Sequence, residues 1–176
     1  MIKKTVQVGN PLIRQRAAQV PGPRTKAVAK VVDDLVDSMR HGELVGMAAP
    51  QIGKSLRIFV TEIRKTKLRK VDETDELRVY INPRIKSLSK KKVKGWEGCG
   101  SVANADLFGM VNRPASLTLV AYDKKGERFE MGATGLLSRI IQHEMDHLNS
   151  RVFTDLADTR TYMSQNEYRK LRARKG

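Results

Sequence analysis

Two of the three histidines in the chain, His143 and His147, are four residues apart, and Glu144 lies between them. In a helix, residues i and i+4 share one face, so both imidazoles can bind a single metal ion. Glu144 can then reach a water at that ion without binding the ion itself. This arrangement is typical of metal-assisted hydrolysis.

HExxH segments also occur by chance on exposed helices, but here the neighbouring residues favour a buried face. Leu136, Ile140, His143 and His147 follow one another at helical intervals, so the histidines continue an apolar stripe. We therefore predict a helix over 135–148 whose inner face carries a metal site.

A hydrolytic metal centre with two histidines needs at least one more protein ligand and a position open to water. Cys99, the only cysteine, lies in a segment of small residues, and its thiolate would be a strong soft ligand. Glu167 is the alternative, because it follows His147 by twenty residues. However, Glu167 also completes a capping box that begins at Ser164. Ligand softness and the small-residue surroundings favour Cys99 and leave Glu167 open as the alternative.

The run of small residues over 46–51 ends in Gln51. Such a segment can lie close to a ligand, and the amide of Gln51 could then donate to an oxyanion. A buried structural glutamine is the simpler interpretation of this residue taken alone.

The composition suits one domain with a hydrophobic core, with 176 residues, 40% of them hydrophobic and 30% charged. The net charge of +15 would attract polyanions. Basic residues concentrate at 63–70, 90–94 and 169–175. These runs contain no aromatic residue for base stacking, so they are either solvated segments or a phosphate-binding surface.

No apolar stretch approaches the length of a membrane span, and the first residues lack the apolar core of a signal peptide. A single cysteine excludes an internal disulfide framework. We expect a protein without membrane contact, in the cytoplasm or in an organelle matrix.

Hydrophobic periodicity predicts an amphipathic helix over 25–40 that ends near Gly42, and a last helix that begins at Ser164. The predicted strands are 57–62, 78–81, 116–122 and 127–131, with Pro83 ending the second and a loop at 123–126 joining the last two. The order of elements predicts an α+β fold. We expect one domain over 1–176, with antiparallel or mixed β-sheets packed around a central HExxH helix and a basic C-terminal helix over 164–176.

Three segments, GMAAPQ at 46–51, EGCGS at 97–101 and QHEMDH at 142–147, resemble the signature segments of peptide deformylases, approximately GφGφAAxQ, EGCφS and QHExDH. The likeness covers nearly the whole chain. It implies hydrolysis of the N-formyl group from N-formylmethionine at the start of nascent polypeptides. The implied cofactor is one divalent ion per chain, Fe²⁺ by preference, with Zn²⁺, Ni²⁺ or Co²⁺ able to substitute.

The resemblance also implies roles for individual residues. Cys99, His143 and His147 would be the metal ligands, and Glu144 the general base and acid. The Gln51 side chain and the Gly100 backbone N–H would be the oxyanion donors. The pocket for the methionine side chain would be lined by Val45, Gly46, Leu136 and Ile140.

Three residues depart from the family pattern. Leu44 occupies the position of the first glycine, Gly100 that of the leucine after the cysteine, and Ala103 a position where proline is frequent. We expect Gly100 to make the oxyanion site less rigid, Leu44 to alter peptide docking, and the segment 104–109 to contain an inserted loop.

Two other functions compete with formyl-peptide hydrolysis. The chain could be a weakened deformylase relative that acts mainly as an RNA- or ribosome-binding protein, or an endopeptidase with Glu167 as the third ligand. In the leading interpretation, the partners are N-formylmethionyl peptides and, through the basic surface, ribosomal RNA. The sequence leaves the oligomeric state open.

Overall fold

The computed structural model describes residues 1–65 and 73–174. Within these ranges the α-helices are α1 (Lys26–His41), α2 (Gly135–Leu148) and α3 (Gln165–Ala173). The strands are β1 (Gly46–Ala48), β2 (Ile58–Ile63), β3 (Asp75–Leu88), β4 (Lys92–Gly98), β5 (Leu107–Pro114), β6 (Ser116–Tyr122), β7 (Arg128–Thr134) and β8 (Asp158–Ser164). No helix in the described part of the chain has the length and apolar character needed to cross a membrane.

The strands form two sheets. The larger sheet has the order β1-β2-β3-β6-β7 and the smaller sheet the order β4-β5-β8. All the ladders between these named strands are antiparallel. This arrangement confirms the predicted α+β class and, of the two sheet types expected, gives the antiparallel one.

Strand β2 lies inside the larger sheet and is buried on both of its faces. Ile58 and Val60 pack into the cluster formed with α1, whereas Phe59 packs into the cluster formed with α2. Alternate side chains of a strand point to opposite faces of the sheet. The continuous apolar run in β2 therefore lets α1 cover one face of the sheet and α2 the other.

The side of α2 that faces away from the larger sheet contacts the smaller sheet through polar groups. Gln142 Nε2 donates to the carbonyl of Pro114 at 3.0 Å, and Arg139 donates to the carbonyls of Val93 at 2.7 Å and Val111 at 3.1 Å. The HExxH helix is thus held between the two sheets, as expected from the sequence.

The element predictions are confirmed for the first helix, the HExxH helix and the hairpin. Thr25 caps α1, where its Oγ1 accepts from the Val28 N–H at 3.3 Å. The prediction that Pro83 ends a strand is wrong. Strand β3 continues through Pro83 because the register shifts there and Asn82 adopts a left-handed φ of 52°, which is the kind of bulge that tolerates proline.

The segment around 104–109 and the C-terminal helix differ in part from what the sequence predicts. Part of the segment expected to hold a loop insertion, 104–109, is the start of β5 rather than a loop. The last helix is capped by Ser164, as predicted, and spans Gln165–Ala173. Most of the basic run at 63–70, together with residues 175 and 176, lies outside the described residues.

We expect Phe59→Ala to lower the free energy of unfolding by about 3–5 kcal/mol. Phe59 is fully buried and stacks on Tyr80 with ring centroids 4.4 Å apart, so truncation leaves a cavity beneath α2. Urea unfolding measures the change. Leu88→Ala, at a site 49% exposed, is the control and should stay within about 0.5 kcal/mol of the unchanged protein. Equal effects of the two substitutions would contradict this account of the core.

Candidate metal centre

Three side chains that can bind a metal ion, from two segments of the chain, meet at one point. Cys99 directly follows β4, and His143 and His147 project from α2. One potential ligand atom from each residue lies within 4.8 Å of the others, and Cys99 Sγ is 3.2 Å from His147 Nε2. One sulfur and two imidazole nitrogens suit a divalent transition metal and leave a coordination position for solvent. The donor set therefore fits the ion that the sequence predicts.

The sulfur in this cluster is buried and acidic. Burial alone raises the pKa of the Cys99 thiol, but the nearby His147 and His143 outweigh this effect and lower the pKa to about 5. The backbone N–H of Ser101 also donates to Cys99 Sγ at 3.4 Å. Cys99 is therefore held as a thiolate, the form that binds metal.

His143 is oriented by a buried carboxylate. Its Nδ1 is 2.9 Å from Glu97 Oε2, so Nδ1 carries the proton and Nε2 remains free for a metal ion. Arg113 binds both oxygens of Glu97, at 2.6 and 2.9 Å, and Arg139 donates to the same carboxylate at 2.7 Å. Although burial raises the pKa of Glu97, hydrogen bonds from Arg113 and His143 hold it well below its usual range.

The same arginine ties the smaller sheet to the helix. Arg113, on β5, donates to Asp146 of α2 at 2.8 Å, and Arg151 pairs with the other oxygen of Asp146 at 2.7 Å. Both Arg113 and Asp146 are buried. No role for Glu97, Arg113 or Asp146 is predicted from the sequence. One feature of the sequence could have indicated such roles. Glu97 and Asp146 are charged residues within the two segments that also contain Cys99, His143 and His147.

Glu144 is buried next to the cluster, and its Oε2 has no hydrogen-bond partner among the described residues. Burial raises the pKa of Glu144 to about 7, and the neighbouring His143 and His147 partly oppose this shift. A Cβ at Gly46 would lie 2.5 Å from Glu144 Oε1, so this carboxyl occupies the space above Gly46. A carboxyl with these properties can both accept and return a proton near neutral pH.

Gln51 points its amide toward the same point. Its Oε1 accepts from the Ala48 N–H at 2.8 Å, which leaves Nε2 facing Cys99 Sγ at 3.7 Å. Gly100, whose backbone N–H is the other predicted oxyanion donor, directly follows Cys99 in the chain. The structure thus brings both predicted donors to the ligand cluster, and their role in stabilising an oxyanion stays a prediction.

The residues predicted to line the methionine pocket also lie together. Val45 and Ile140 are buried in one apolar cluster with Ile63, and Leu136 packs against it. Gly46 adjoins this cluster, since a Cβ there would be 2.8 Å from Ile140 Cγ2. These apolar residues therefore lie beside Glu144, together with Ile63, which was not predicted from the sequence.

Glu167, the alternative third ligand, lies elsewhere. It is on α3 with 59% of its side chain exposed, and it pairs with Lys170 at 2.6 Å. Its backbone N–H donates to Ser164 Oγ at 3.4 Å, as in a helix cap. Cys99 is thus the residue that joins the two histidines.

Comparison with known proteins gives the same family by sequence and by structure. The sequence profile of the polypeptide deformylase family matches residues 2–162. Peptide deformylase 1A of Arabidopsis thaliana, chloroplastic/mitochondrial, is 35% identical over 173 residues, which cover 92% of this chain and 63% of that protein. Peptide deformylase 2 of a Nostoc species is 32% identical over 167 residues, which cover 94% of this chain and 92% of that protein.

Two solved structures extend the comparison. A class I type b peptide deformylase from Acinetobacter baumannii with bound Met-Ala-Ser aligns with a TM-score of 0.84 and 27% identity, covering 89% of this chain and 98% of the other. Peptide deformylase from Ehrlichia chaffeensis in complex with actinonin aligns with a TM-score of 0.81 and 30% identity, covering 90% of each chain.

Fold and site together define a metal-dependent hydrolase with one Cys and two His residues at its centre. The chain belongs to the polypeptide deformylase family. Members of this family remove the N-formyl group from new polypeptides.

We expect Glu97→Gln to weaken metal binding by about 10–100-fold, because the neutral amide no longer holds the Nδ1 proton of His143 and leaves two arginines underpaired. Competition between the protein and a chromophoric chelator for Co²⁺ measures the affinity. Glu130→Gln, which breaks an exposed pair with Lys86, is the control. Equal affinities for both variants would show that Glu97 does not orient the ligand.

Proposed function

We propose that this chain forms a single catalytic domain that hydrolyses the N-formyl group of N-formylmethionyl peptides. In this proposal Cys99, His143 and His147 hold one divalent ion, and Glu144 is the general base and acid. The observation that carries the proposal is the meeting of three ligand atoms within 4.8 Å beside a buried carboxyl. The names of the relatives support the same reaction.

A divalent ion at this site would supply Lewis acidity, which lowers the pKa of water and polarises a carbonyl. Glu144 accepts a proton from the attacking water while the water oxygen bonds to the formyl carbon. When the C–N bond breaks, Glu144 donates that proton to the departing nitrogen. The products are formate and a peptide with a free amino group.

Charge that develops on the formyl oxygen needs donors that are already in place. The Gln51 amide is fixed by its bond to Ala48, and we propose that it donates to this oxygen together with the Gly100 N–H. Because such donors are preorganised, they stabilise the transition state more than the planar substrate. Losing one of them typically costs about 2.7–4 kcal/mol in the barrier.

The substrate would place its methionine side chain against Val45, Gly46, Leu136 and Ile140. Two observations support this placement. Val45 and Ile140 belong to the apolar cluster beside Glu144, and Leu136 and Gly46 adjoin it. Moreover, β1 is an edge strand of the larger sheet, and such an edge can pair with an extended peptide. The relative from Acinetobacter baumannii was solved with Met-Ala-Ser bound.

We propose Fe²⁺ as the native ion, with Zn²⁺, Ni²⁺ and Co²⁺ as substitutes. The mixed sulfur and nitrogen donor set accepts all four metals. The thiolate donates charge and weakens the Lewis acidity of the ion, so an ion with flexible coordination suits the reaction better than one that prefers a closed tetrahedron.

The competing functions receive less support. The departures from the family pattern at Leu44, Gly100 and Ala103 replace neither a proposed ligand nor Glu144, and no relative that the comparisons name suggests a weakened RNA-binding protein. The endopeptidase interpretation needs Glu167 beside the histidines, whereas Glu167 pairs with Lys170 on the surface.

Glu144→Gln should bind metal normally and lower kcat by about 10²–10⁴-fold, because the amide cannot accept the proton. Protein purified without air and loaded with Fe²⁺ is assayed on formyl-Met-Ala-Ser, with metal content measured in parallel. Cys99→Ser is the companion variant and should lose most of its metal. A failure of the unchanged protein to turn over with iron, nickel or cobalt would refute the proposed function.

We also propose that α3 contacts ribosomal RNA, in a bacterial cytoplasm or an organelle matrix where translation begins with formylmethionine. Arg169 and Arg172 are exposed on this helix. Tyr168 anchors the helix by stacking on Phe108, with ring centroids 4.3 Å apart. The basic side chains are therefore presented to solvent by a fixed element, which suits contact with phosphates.

Arg169→Glu with Arg172→Glu should weaken cosedimentation with ribosomes. The slope of log affinity against log salt concentration should also become shallower, by about one for each arginine that no longer binds a phosphate. The control is Lys124→Glu with Lys125→Glu, which makes the same charge change in the exposed hairpin loop. Both variants should keep wild-type turnover of formyl-Met-Ala-Ser. If the two double variants sediment alike, α3 does not bind the ribosome.

A further inference from the structure

Gly100 lacks a side chain for a steric reason and not a conformational one. The glycines with positive φ among the described residues are Gly9, Gly53, Gly126 and Gly135, so the backbone at Gly100 is one that any residue can adopt. A Cβ at Gly100, however, would lie 3.1 Å from Leu44 Cδ1 and 3.5 Å from Thr5 Cγ2. The Leu44 side chain already fills the space above Gly100.

Leu44 is held so that it cannot easily move away. Its N–H donates to the carbonyl of Met39 at 2.9 Å, and its own carbonyl accepts from Arg64 at 2.6 Å. Its side chain is partly buried against the apolar cluster of α1. The two hydrogen bonds hold the Leu44 backbone, and its side chain packs between the α1 cluster and Gly100.

The other side of the same peptide segment is held by Gln7. Its Nε2 donates to the Gly100 carbonyl at 2.8 Å, and its Oε1 accepts from the Asn104 N–H at 3.0 Å. The adjacent Val6 N–H donates to the carbonyl of Gln51 at 2.8 Å. One N-terminal segment therefore binds the backbone of both proposed oxyanion donors.

We propose that Leu44 is a positioning residue that replaces the side chain missing at Gly100. Its packing, together with the hydrogen bond from Gln7, keeps the Gly100 N–H directed at the reacting carbonyl. In the family pattern the small residue is at position 44 and the large one at 100, so this chain has exchanged the bulk between the two segments. The inference rests on the proposed function, and it replaces the expectation that Gly100 loosens the oxyanion site.

An alanine cycle on Leu44 and Gly100 tests the coupling. We expect Leu44→Ala to lower kcat about tenfold, less than the loss of a whole oxyanion donor, with KM changed by less than about twofold. Gly100→Ala alone should lower kcat, because its Cβ pushes against Leu44. In the Leu44→Ala background, Gly100→Ala should instead raise kcat by about threefold or more, because the added methyl refills the space.

The reversal of sign is the readout that a merely structural role would not give. Gly132→Ala is the matched control, since a Cβ there would meet only a carbonyl oxygen at 3.9 Å. It should not interact with Leu44→Ala. Leu44→Val, which keeps branched bulk but is shorter, is used if the alanine variant does not fold. Effects at Leu44 and Gly100 that simply multiply would overturn the proposal.

A second measurement separates this inference from the proposed function. Amide hydrogen exchange over 98–102, followed by mass spectrometry, should be faster in Leu44→Ala than in the unchanged protein and slower again in the double variant. Unchanged exchange in Leu44→Ala would overturn the positioning role whatever the activity. A wild-type protein inactive on formyl-Met-Ala-Ser would refute the function while the exchange data still decide the role of Leu44.

Discussion

The buried contact between Arg113 and Asp146 joins the smaller sheet to α2 and so holds the site in the geometry that it requires. Glu97 lies near the end of β4, which leads to Cys99, and Arg113 on β5 binds Glu97 and reaches Asp146 on α2. The sulfur thus arrives from the smaller sheet and the imidazoles from a helix packed on the larger one. A shift of one sheet relative to the other would move Cys99 away from His143 and His147.

Such a network is costly to bury, and its contribution is mainly geometric. Moving these charges out of water costs several kcal/mol per ion, which their mutual attraction only partly returns. Arg113 is shared between Glu97 and Asp146, so few arrangements satisfy all three groups. The carboxylate that satisfies Arg113 also fixes the proton on His143. Fold assembly and ligand orientation therefore depend on the same bonds.

The sequence predicted α2 to the residue because two independent signals coincided there, an apolar stripe and the HExxH spacing. It favoured Cys99 as the third ligand but left Glu167 as an alternative, because the distance from Cys99 to the two histidines depends on where β4 ends. Strands β4 and β5 were not predicted. In β4, Lys92, Val93 and Lys94 are all exposed, so its first half has no buried face for an alternating pattern to mark. The role of Glu97 depends on partners 16, 42 and 46 residues away, and no local pattern indicates them.

Several glycines around this centre leave space that side chains from other elements occupy. A Cβ at Gly46 would collide with Glu144 Oε1 at 2.5 Å, and one at Gly95 would lie 2.8 Å from the guanidinium of Arg139. Neither residue needs glycine for its φ. Each glycine makes room for a side chain from another element, the Glu144 carboxyl in one case and the Arg139 guanidinium that pairs with Glu97 in the other. Gly100 makes the same kind of room for Leu44. In the proposal made above, the side chains at positions 44 and 100 share one space, so substitutions at these two positions have to be interpreted as a pair.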